Sequence, residues 1–318
     1  MSCAPAGLVA FYKKNPEGTI VDYVAELLAN SPDIVFTTSL QESDCPVVTA
    51  DQLRSATILN PRTLSANEIF QITESTVLKV GWRVRMSEAE ALILVADKTN
   101  VPVPKVLSAY TIGDLGFILM SKIEGDTLGS HEDSLSTEQF ESIIHQLKSH
   151  VLEWRTLRSP YLGSVDGGPC EDIIFRHIWD ANAPPKDYGP FQSLEDYKLG
   201  IIEAVRLSRP PNYWTEAEEE LKERILSYSI ENAASDLGVL THGDLHSGNI
   251  MVKDGSVTGI VDWGEAGYSL PEREFFGARR IAIDRHWIET IPHFIPELPE
   301  EYKLWDEVDR SMRIFSPV

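Results

Sequence analysis

Three polar side chains between residues 244 and 262 have the types and the spacing for metal-assisted proton transfer. Asp244 can accept a proton, and Asn249 and Asp262 carry amide and carboxylate oxygens, which hard cations such as Mg²⁺ prefer as ligands. Apolar segments with β-type residues lie between them, at 250–252 and 257–261. The sequence therefore predicts polar, metal-capable groups at the ends of buried strands.

A tight hairpin is predicted between these segments, because the Asp-Gly pair at 254–255 suits a type I′ turn, which needs two residues that tolerate positive φ. Counting outward from this turn places Asn249 opposite Ile260. Side chains alternate along a strand, so Asp262 shares the face of Ile260 and lies diagonally from Asn249, roughly 7–8 Å away. Such a pair can share one cation.

The spacing around Asp244 also matches a known catalytic loop. Asp244 precedes Asn249 by five residues, as in the kinase pattern H-R-D-L-x-x-x-N, with Gly243 in place of the arginine. In that loop the aspartate accepts the proton of the attacking hydroxyl, the asparagine holds a metal, and a later aspartate binds the metals that bridge the phosphates. Asp262 is the candidate for the later aspartate.

Kinase chemistry further requires a strand lysine that contacts the phosphates and pairs with a helix glutamate. Lys79 follows a β-type run, and Glu88 and Glu90 begin the next helical segment. Ser87 and Glu90 have the S-x-x-E spacing of a capping box, so Glu88 is favoured as the partner, with Glu90 as the alternative. Taken alone, Lys79 would instead be read as a solvated lysine of an edge strand.

Together these stretches resemble the aminoglycoside phosphotransferase and choline kinase-like family, whose fold is that of the protein kinases. The resemblance spans about residues 65–280 and is carried by the segments 77–79, 88–90, 101–107, 118–128, 242–249 and 260–267. It implies an α+β, bilobal fold, with a small antiparallel-sheet N-lobe and a mostly helical C-lobe. It also implies ATP- and Mg²⁺-dependent transfer of the γ-phosphate to a hydroxyl of a small molecule.

The resemblance assigns a role to each candidate residue. It implies Asp244 as the catalytic base with Asn249 in the same catalytic loop, Asn249 and Asp262 as Mg²⁺ ligands, Lys79 with Glu88 as the anchor of the ATP phosphates, and the backbone of Ser121 to Ile123 as the adenine-binding hinge.

Two departures from the family pattern bear on these roles. The segment from Leu64 to Ile69 has no glycine, so the Gly-rich cover of protein kinases is missing. Glu274 stands where many relatives have aspartate, and we expect it to anchor the catalytic loop structurally. The glycine-free segment motivates the alternative of a catalytically weak or inactive kinase-like protein that binds a nucleotide or metabolite.

His242 and His246 suggest a further alternative, a zinc-dependent hydrolase. An i, i+4 histidine pair binds zinc when both residues lie on one helix, but the glycines at 243 and 248 make a helix unfavourable. Structural hydrogen bonding is the favoured interpretation of both histidines.

The order of elements predicts two lobes. β-type runs at 69–72 and 76–80 predict a hairpin, and S/T-x-x-E/Q spacings predict helix starts at Ser136 and Thr215. The N-terminal lobe covers 1–121, with a helical extension at 1–60 and a nucleotide-binding sheet with one helix at 61–121. The C-terminal lobe, 122–318, contains the catalytic loop and the substrate site.

Charge and composition limit the partners. The 318 residues include 28 Lys and Arg against 49 Asp and Glu, a formal net charge of −21, which disfavours nucleic acid and anionic membrane surfaces. This balance suits a small hydroxyl substrate that carries positive charge. Its amino group could face acidic side chains such as Glu265, Glu272, Asp284 and Glu289, and a solvated surface is the alternative for each of them. Three widely spaced cysteines and the lack of a long apolar run predict a cytoplasmic protein.

Overall fold

The structure, a computed structural model, describes residues 4–30, 33–41, 44–60, 66–180, 183, 186–230, 237–282 and 284–316. Its helices are α1 (Ala6–Lys14), α2 (Ile20–Ala29), α3 (Ala50–Ser55), α4 (Met86–Lys98), α5 (Leu128–His131), α6 (Thr137–Trp154), α7 (Leu194–Leu207), α8 (Glu216–Ser227), α9 (Arg273–Ile281), α10 (Arg285–Thr290) and α11 (Pro299–Arg313). Its strands are β1 (Ile34–Phe36), β2 (Thr57–Ile58), β3 (Asn67–Gln71), β4 (Thr76–Gly81), β5 (Val106–Ile112), β6 (Leu115–Ser121), β7 (Asp126–Thr127), β8 (Arg158–Ser159), β9 (Gly238–Thr241), β10 (Ile250–Lys253), β11 (Ser256–Ile260) and β12 (Gly267–Ser269). Across these ranges no helix has the length and apolar character needed to cross a bilayer.

An antiparallel sheet in the order β1-β5-β6-β4-β3-β2 forms the N-terminal part of the fold. The predicted hairpin is present as β3 and β4, with Ile69 opposite Lys79. On its other side β4 pairs with β6, where Lys79 faces Ile118. Lys79 therefore lies on an inner strand and is only 4% exposed, so it is not a solvated lysine of an edge strand.

Helix α4 begins two residues earlier than the predicted capping box requires. Its N-cap is Arg85, which makes no side-chain capping hydrogen bond, and Ser87 is already inside the helix. Glu90 instead accepts hydrogen bonds from Thr37 Oγ1 at 2.6 Å and from Ser39 N at 2.8 Å. The capping-box prediction at Ser87 and Glu90 was wrong, because a contact distant in sequence uses the Glu90 carboxylate.

The first sixty residues contain helices, as predicted, but they also extend the sheet. β1 pairs with β5, and β2 pairs with β3, so this segment supplies both edge strands. Helix α2 buries Ile20, Tyr23 and Val24 against the core that includes the outer face of the sheet.

The second part of the structure is mostly helical. Helix α6 begins at the predicted capping box, in which Gln139 N donates to Ser136 Oγ and Ser136 N donates to Gln139 Oε1. Its buried stripe is Ile143, Leu147, Val151 and Trp154. This stripe packs into the same core as β10, β11 and α9, beneath the segment predicted as the catalytic loop.

The hairpin of β10 and β11 has the predicted turn but a different register. Asp254 and Gly255 both have positive φ, 51° and 75°. Beyond the turn, Met251 pairs with Gly259, so a β-bulge leaves Thr258 as an extra residue, and Ile250 rather than Asn249 lies opposite Ile260. The predicted pairing of Asn249 with Ile260 was wrong, and the alternation argument built on it does not apply.

Both residues of interest lie just beyond the strands. Asn249 ends a 3-10 turn before β10 and accepts a hydrogen bond from Val261 N at 2.9 Å, and Asp262 follows Val261 with a φ of 62°. Asn249 and Asp262 therefore lie at the same end of the hairpin. The reason is their position next to the strand ends, and not the predicted alternation of side chains along the strands.

Glu274 fastens the predicted catalytic loop to helix α9. It is fully buried and accepts hydrogen bonds from His242 N at 2.9 Å, from Gly243 N at 3.4 Å and from Trp154 Nε1 at 3.1 Å. Three N–H donors converge on one carboxylate, so this residue is a structural anchor of the loop.

We expect Glu274→Gln to destabilise the protein by about 2–4 kcal/mol, because the amide replaces an acceptor oxygen with a donor facing buried N–H groups. Chemical denaturation measures the loss, and hydrogen exchange at the amides of His242 and Gly243 should become faster. Glu289→Gln, on an exposed face where Glu289 pairs with Arg285, is the matched control and should stay within about 0.5 kcal/mol. Equal stability of the two variants would contradict the anchoring role.

Candidate active site

One lysine and two carboxylates form the centre of the site. Lys79 Nζ donates to Glu88 Oε1 at 2.7 Å, to Glu88 Oε2 at 2.8 Å and to Asp262 Oδ1 at 2.7 Å. Glu88, rather than Glu90, is the partner of Lys79. Strand β4, helix α4 and the segment after β11 each contribute one of these residues, so the cluster joins the two parts of the fold.

Burial and ion pairing have opposite effects on these groups. Burial alone would lower the pKa of Lys79, but the carboxylates of Glu88 and Asp262 raise it above the ordinary value. Burial would raise the pKa of Asp262, yet Lys79 holds it below the ordinary value. Both charges therefore persist at neutral pH. The side chain of Asp262 remains 47% exposed, which leaves the carboxylate accessible to a ligand.

Asp244 lies beside this cluster, on the loop before β10. Asn249 Nδ2 donates to the backbone oxygen of Asp244 at 2.9 Å and lies 3.4 Å from Oδ2 of its carboxylate. Burial raises the pKa of Asp244 above its ordinary value, and the negative charge of Asp262 adds to this, while His242 and His246 oppose it. A carboxylate with a raised pKa is a stronger proton acceptor than an exposed aspartate.

The oxygens of Asn249 and Asp262 are the donor set available to a divalent cation. The amide nitrogen of Asn249 is bonded to Asp244, so the amide oxygen is the atom that a cation would take. Amide and carboxylate oxygens with room for water and phosphate fit Mg²⁺. In the described part of the chain, no group of three or more His, Cys, Asp or Glu side chains has a metal-binding arrangement.

Both histidines of the loop make local hydrogen bonds. His242 is fully buried, with Nδ1 accepting from Asp244 N at 3.3 Å and Nε2 3.0 Å from the oxygen of Val261. His246 Nδ1 accepts from Gly248 N at 3.0 Å and caps the 3-10 turn that ends at Asn249. These contacts give both rings a structural role.

The hinge candidates Ser121 and Ile123 lie at the end of β6, the strand that faces Lys79, and just beyond it. Ser121 ends β6, with its N–H donating to Lys105 O and its Oγ accepting from Lys105 N, both at 2.9 Å. Ile123 packs beside Gly259, where an added Cβ would lie 2.7 Å from the isoleucine side chain. Of the glycine-free segment from Leu64 to Ile69, residues 64 and 65 lie outside the described residues.

A chain of ion pairs beside Asp244 was largely missed from the sequence. Arg85 Nε lies 3.4 Å from Glu171 Oε2, Arg176 Nη2 donates to the backbone oxygen of Glu171 at 2.9 Å, and Arg176 Nη1 donates to Glu265 Oε1 at 3.0 Å. Burial raises the pKa of Glu265 to about 7, with Arg176 opposing the shift and Asp244 adding to it. Of the four residues in this chain of ion pairs, the sequence indicated only Glu265, as an acidic side chain three residues after Asp262.

Comparison with known proteins identifies the family. The model of the phosphotransferase enzyme family (APH) matches residues 76–309. Comparison with curated protein sequences gives no match.

Solved structures show the same fold. A thermostable mutant of the aminoglycoside phosphotransferase APH(4)-Ia, in its apo form, aligns with a TM-score of 0.52 and 18% identity, covering 81% of this chain and 84% of that chain. The ADP-bound aminoglycoside phosphotransferase APH(2'')-Ib aligns with a TM-score of 0.50 and 15% identity, covering 92% of each chain. A ternary complex of an APH(4)-Ia mutant with ADP and hygromycin B aligns with a TM-score of 0.51 and 15% identity, covering 82% of this chain and 85% of that chain.

The expected α+β, bilobal, kinase-like fold is therefore confirmed. The chain belongs to the phosphotransferase enzyme family and is a small-molecule kinase.

Proposed function

We propose that this enzyme transfers the γ-phosphate of ATP, in the presence of Mg²⁺, to a hydroxyl of a small molecule. The observation that carries this proposal is the single cluster in which Lys79 contacts Glu88 and Asp262 while Asp244 lies alongside. A phosphate anchor, a cation site and a proton acceptor are the groups that phosphoryl transfer requires.

In this proposal Lys79 holds the ATP phosphates and Glu88 fixes the lysine rotamer. Asn249 and Asp262 would hold Mg²⁺, which neutralises charge on the phosphates. The backbone between Ser121 and Ile123 would bind adenine. ADP in the related structures supports the use of a nucleotide.

Asp244 supplies the acid-base step. The acceptor hydroxyl gives its proton to the Asp244 carboxylate as the new oxygen–phosphorus bond forms and the bond between the γ-phosphorus and the β–γ bridging oxygen breaks. The electron pair of the broken bond leaves with ADP. The contact of Asn249 Nδ2 with the Asp244 backbone oxygen keeps the carboxylate in place for this step.

The acceptor lies beside Glu265 in this proposal. The Glu265 carboxylate is 20% exposed near Asp244, and the whole chain carries a net charge of −21, so a hydroxyl compound with an amino group fits. A related aminoglycoside phosphotransferase forms a ternary complex with ADP and hygromycin B, which agrees with this chemistry.

We expect Asp244→Asn to lower phosphate transfer at least about a hundredfold, because an amide cannot accept the proton. Binding of Mg·ATP, measured by calorimetry, should change little, since Asp244 is not the phosphate anchor. The matched control is Asp254→Asn at the hairpin turn, where asparagine tolerates the positive φ, and its transfer rate should equal that of the wild type. Wild-type turnover in Asp244→Asn, assayed over amino alcohols, sugars and aminoglycosides, would refute the assignment.

The pH dependence of transfer should reflect the raised pKa of Asp244. The base acts only when deprotonated, so the rate falls as the pH drops through this pKa, above the range of an ordinary aspartate near 3.9. The acid limb of kcat/KM, measured with the acceptor as the varied substrate, should therefore lie above that range. An acid limb at or below the range of an ordinary aspartate would contradict the role of Asp244 as the base.

A further inference from the structure

A small cavity lies behind the catalytic loop, next to helix α9. Its volume is about 20 Å³, and its wall includes Gly243 of the loop and Gly277 of α9. These glycines allow the loop and helix to pack closely, because a Cβ on Gly277 would lie 2.3 Å from the oxygen of Gly243. The cavity therefore shares a wall with the loop that carries Asp244.

Two residues that line this cavity each have a buried polar atom without a hydrogen-bond partner in the described part of the chain. These atoms are the hydroxyl of Tyr197, on α7, and Nη1 of Arg273, at the start of α9. Both residues are at most 2% exposed. Buried polar groups without partners are rare in folded proteins, because each has lost its hydrogen bonds to water.

Neither side chain can turn to another partner. Arg273 Nε donates to Asp172 Oδ2 at 2.7 Å, Nη2 also bonds this carboxylate, and the guanidinium lies 4.2 Å from the ring centre of Phe276. The ring of Tyr197 packs edge-on against Phe175 and Trp305. These contacts hold the rest of each side chain in place.

Size and charge limit what can occupy the cavity. A volume of about 20 Å³ exceeds the roughly 10–15 Å³ that one water needs, and it is far too small for the body of a substrate. Asp172 already neutralises Arg273, and Glu171 and Glu265 also line the cavity, so an anion is disfavoured. A cation is disfavoured as well, because an N–H of the guanidinium requires an acceptor atom.

We propose that this cavity is a binding site for one ordered water, which accepts a hydrogen bond from Arg273 Nη1 and bonds the hydroxyl of Tyr197. The water links α7 to the first residue of α9. Burial raises the pKa of Tyr197 well above its ordinary value, so the phenol keeps its proton for this bridge.

The bridge supports the catalytic loop through the chain itself. Arg273 is followed directly by Glu274, which binds the amides of His242 and Gly243. Loss of the water-mediated link should loosen the start of α9 and, with it, the anchor of the loop. Tyr197 is therefore a positioning residue that acts through Arg273 and Glu274.

The first test is a crystal structure of the resting full chain at a resolution that shows ordered waters. We expect a peak within about 2.7–3.2 Å of both Arg273 Nη1 and Tyr197 Oη. An empty cavity, or a protein partner for these two atoms, would overturn the proposal.

The second test is Tyr197→Phe, which keeps the shape of the ring. If water bridges the two groups, removal of the hydroxyl should lower Tm by about 2–4 °C and speed hydrogen exchange several-fold at the amides of His242 and Gly243. If the cavity is dry, the variant removes an unsatisfied hydroxyl, so an unchanged or higher Tm overturns the proposal. Tyr213→Phe, at an exposed tyrosine of the same lobe, is the control, and Glu274→Gln gives the reference for a released loop.

Discussion

The fold depends on how a buried lysine charge is compensated. An ammonium group taken out of water is costly unless it is paired, and Lys79 is paired with two carboxylates from two other elements. Glu88 holds it from helix α4, and Asp262 holds it from the segment that follows β11. Because no single element supplies both partners, the sheet and the helical lobe must meet at this point for the charge to be compensated.

The same cluster leaves an excess of negative charge. One ammonium group faces the carboxylates of Glu88 and Asp262, with Asp244 next to them, and burial together with the charge of Asp262 raises the pKa of Asp244. A divalent cation brought in with ATP would offset this excess, and the released lysine could turn to the phosphates. In the proposed mechanism, the resting arrangement would be complementary to the charge of the nucleotide complex, as electrostatic preorganisation in phosphoryl transfer requires.

Much of this arrangement could be predicted from local sequence, because the signals are short in range. The Asp-Gly turn at 254–255 and the spacing of Asp244 and Asn249 are such signals, and they indicated the right family. The register of the hairpin was not predictable in this way, since the extra residue, Thr258, donates to the backbone oxygen of Glu124 far along the chain. Strand pairing counted from a turn cannot detect a bulge fixed by a distant partner.

Contacts between distant segments account for the other errors and omissions. Glu90 has the spacing of a capping residue, but Thr37 and Ser39 use its carboxylate. Arg176 lies in an irregular stretch with no periodic pattern, so its pairing with Glu265 left no trace in the sequence. Such pairs depend on how the chain packs in three dimensions, and a single sequence does not record this.

The most direct test of the central claim is a crystal structure of the full-length enzyme with Mn²⁺ in place of Mg²⁺ and a non-hydrolysable ATP analogue, with the metal located by anomalous scattering. We predict a metal peak in contact with Asn249 Oδ1 and the Asp262 carboxylate, with Lys79 Nζ on the phosphates and still bonded to Glu88. A metal bound elsewhere, or a lysine that remains on Asp262 while the phosphates lie apart from it, would contradict the account.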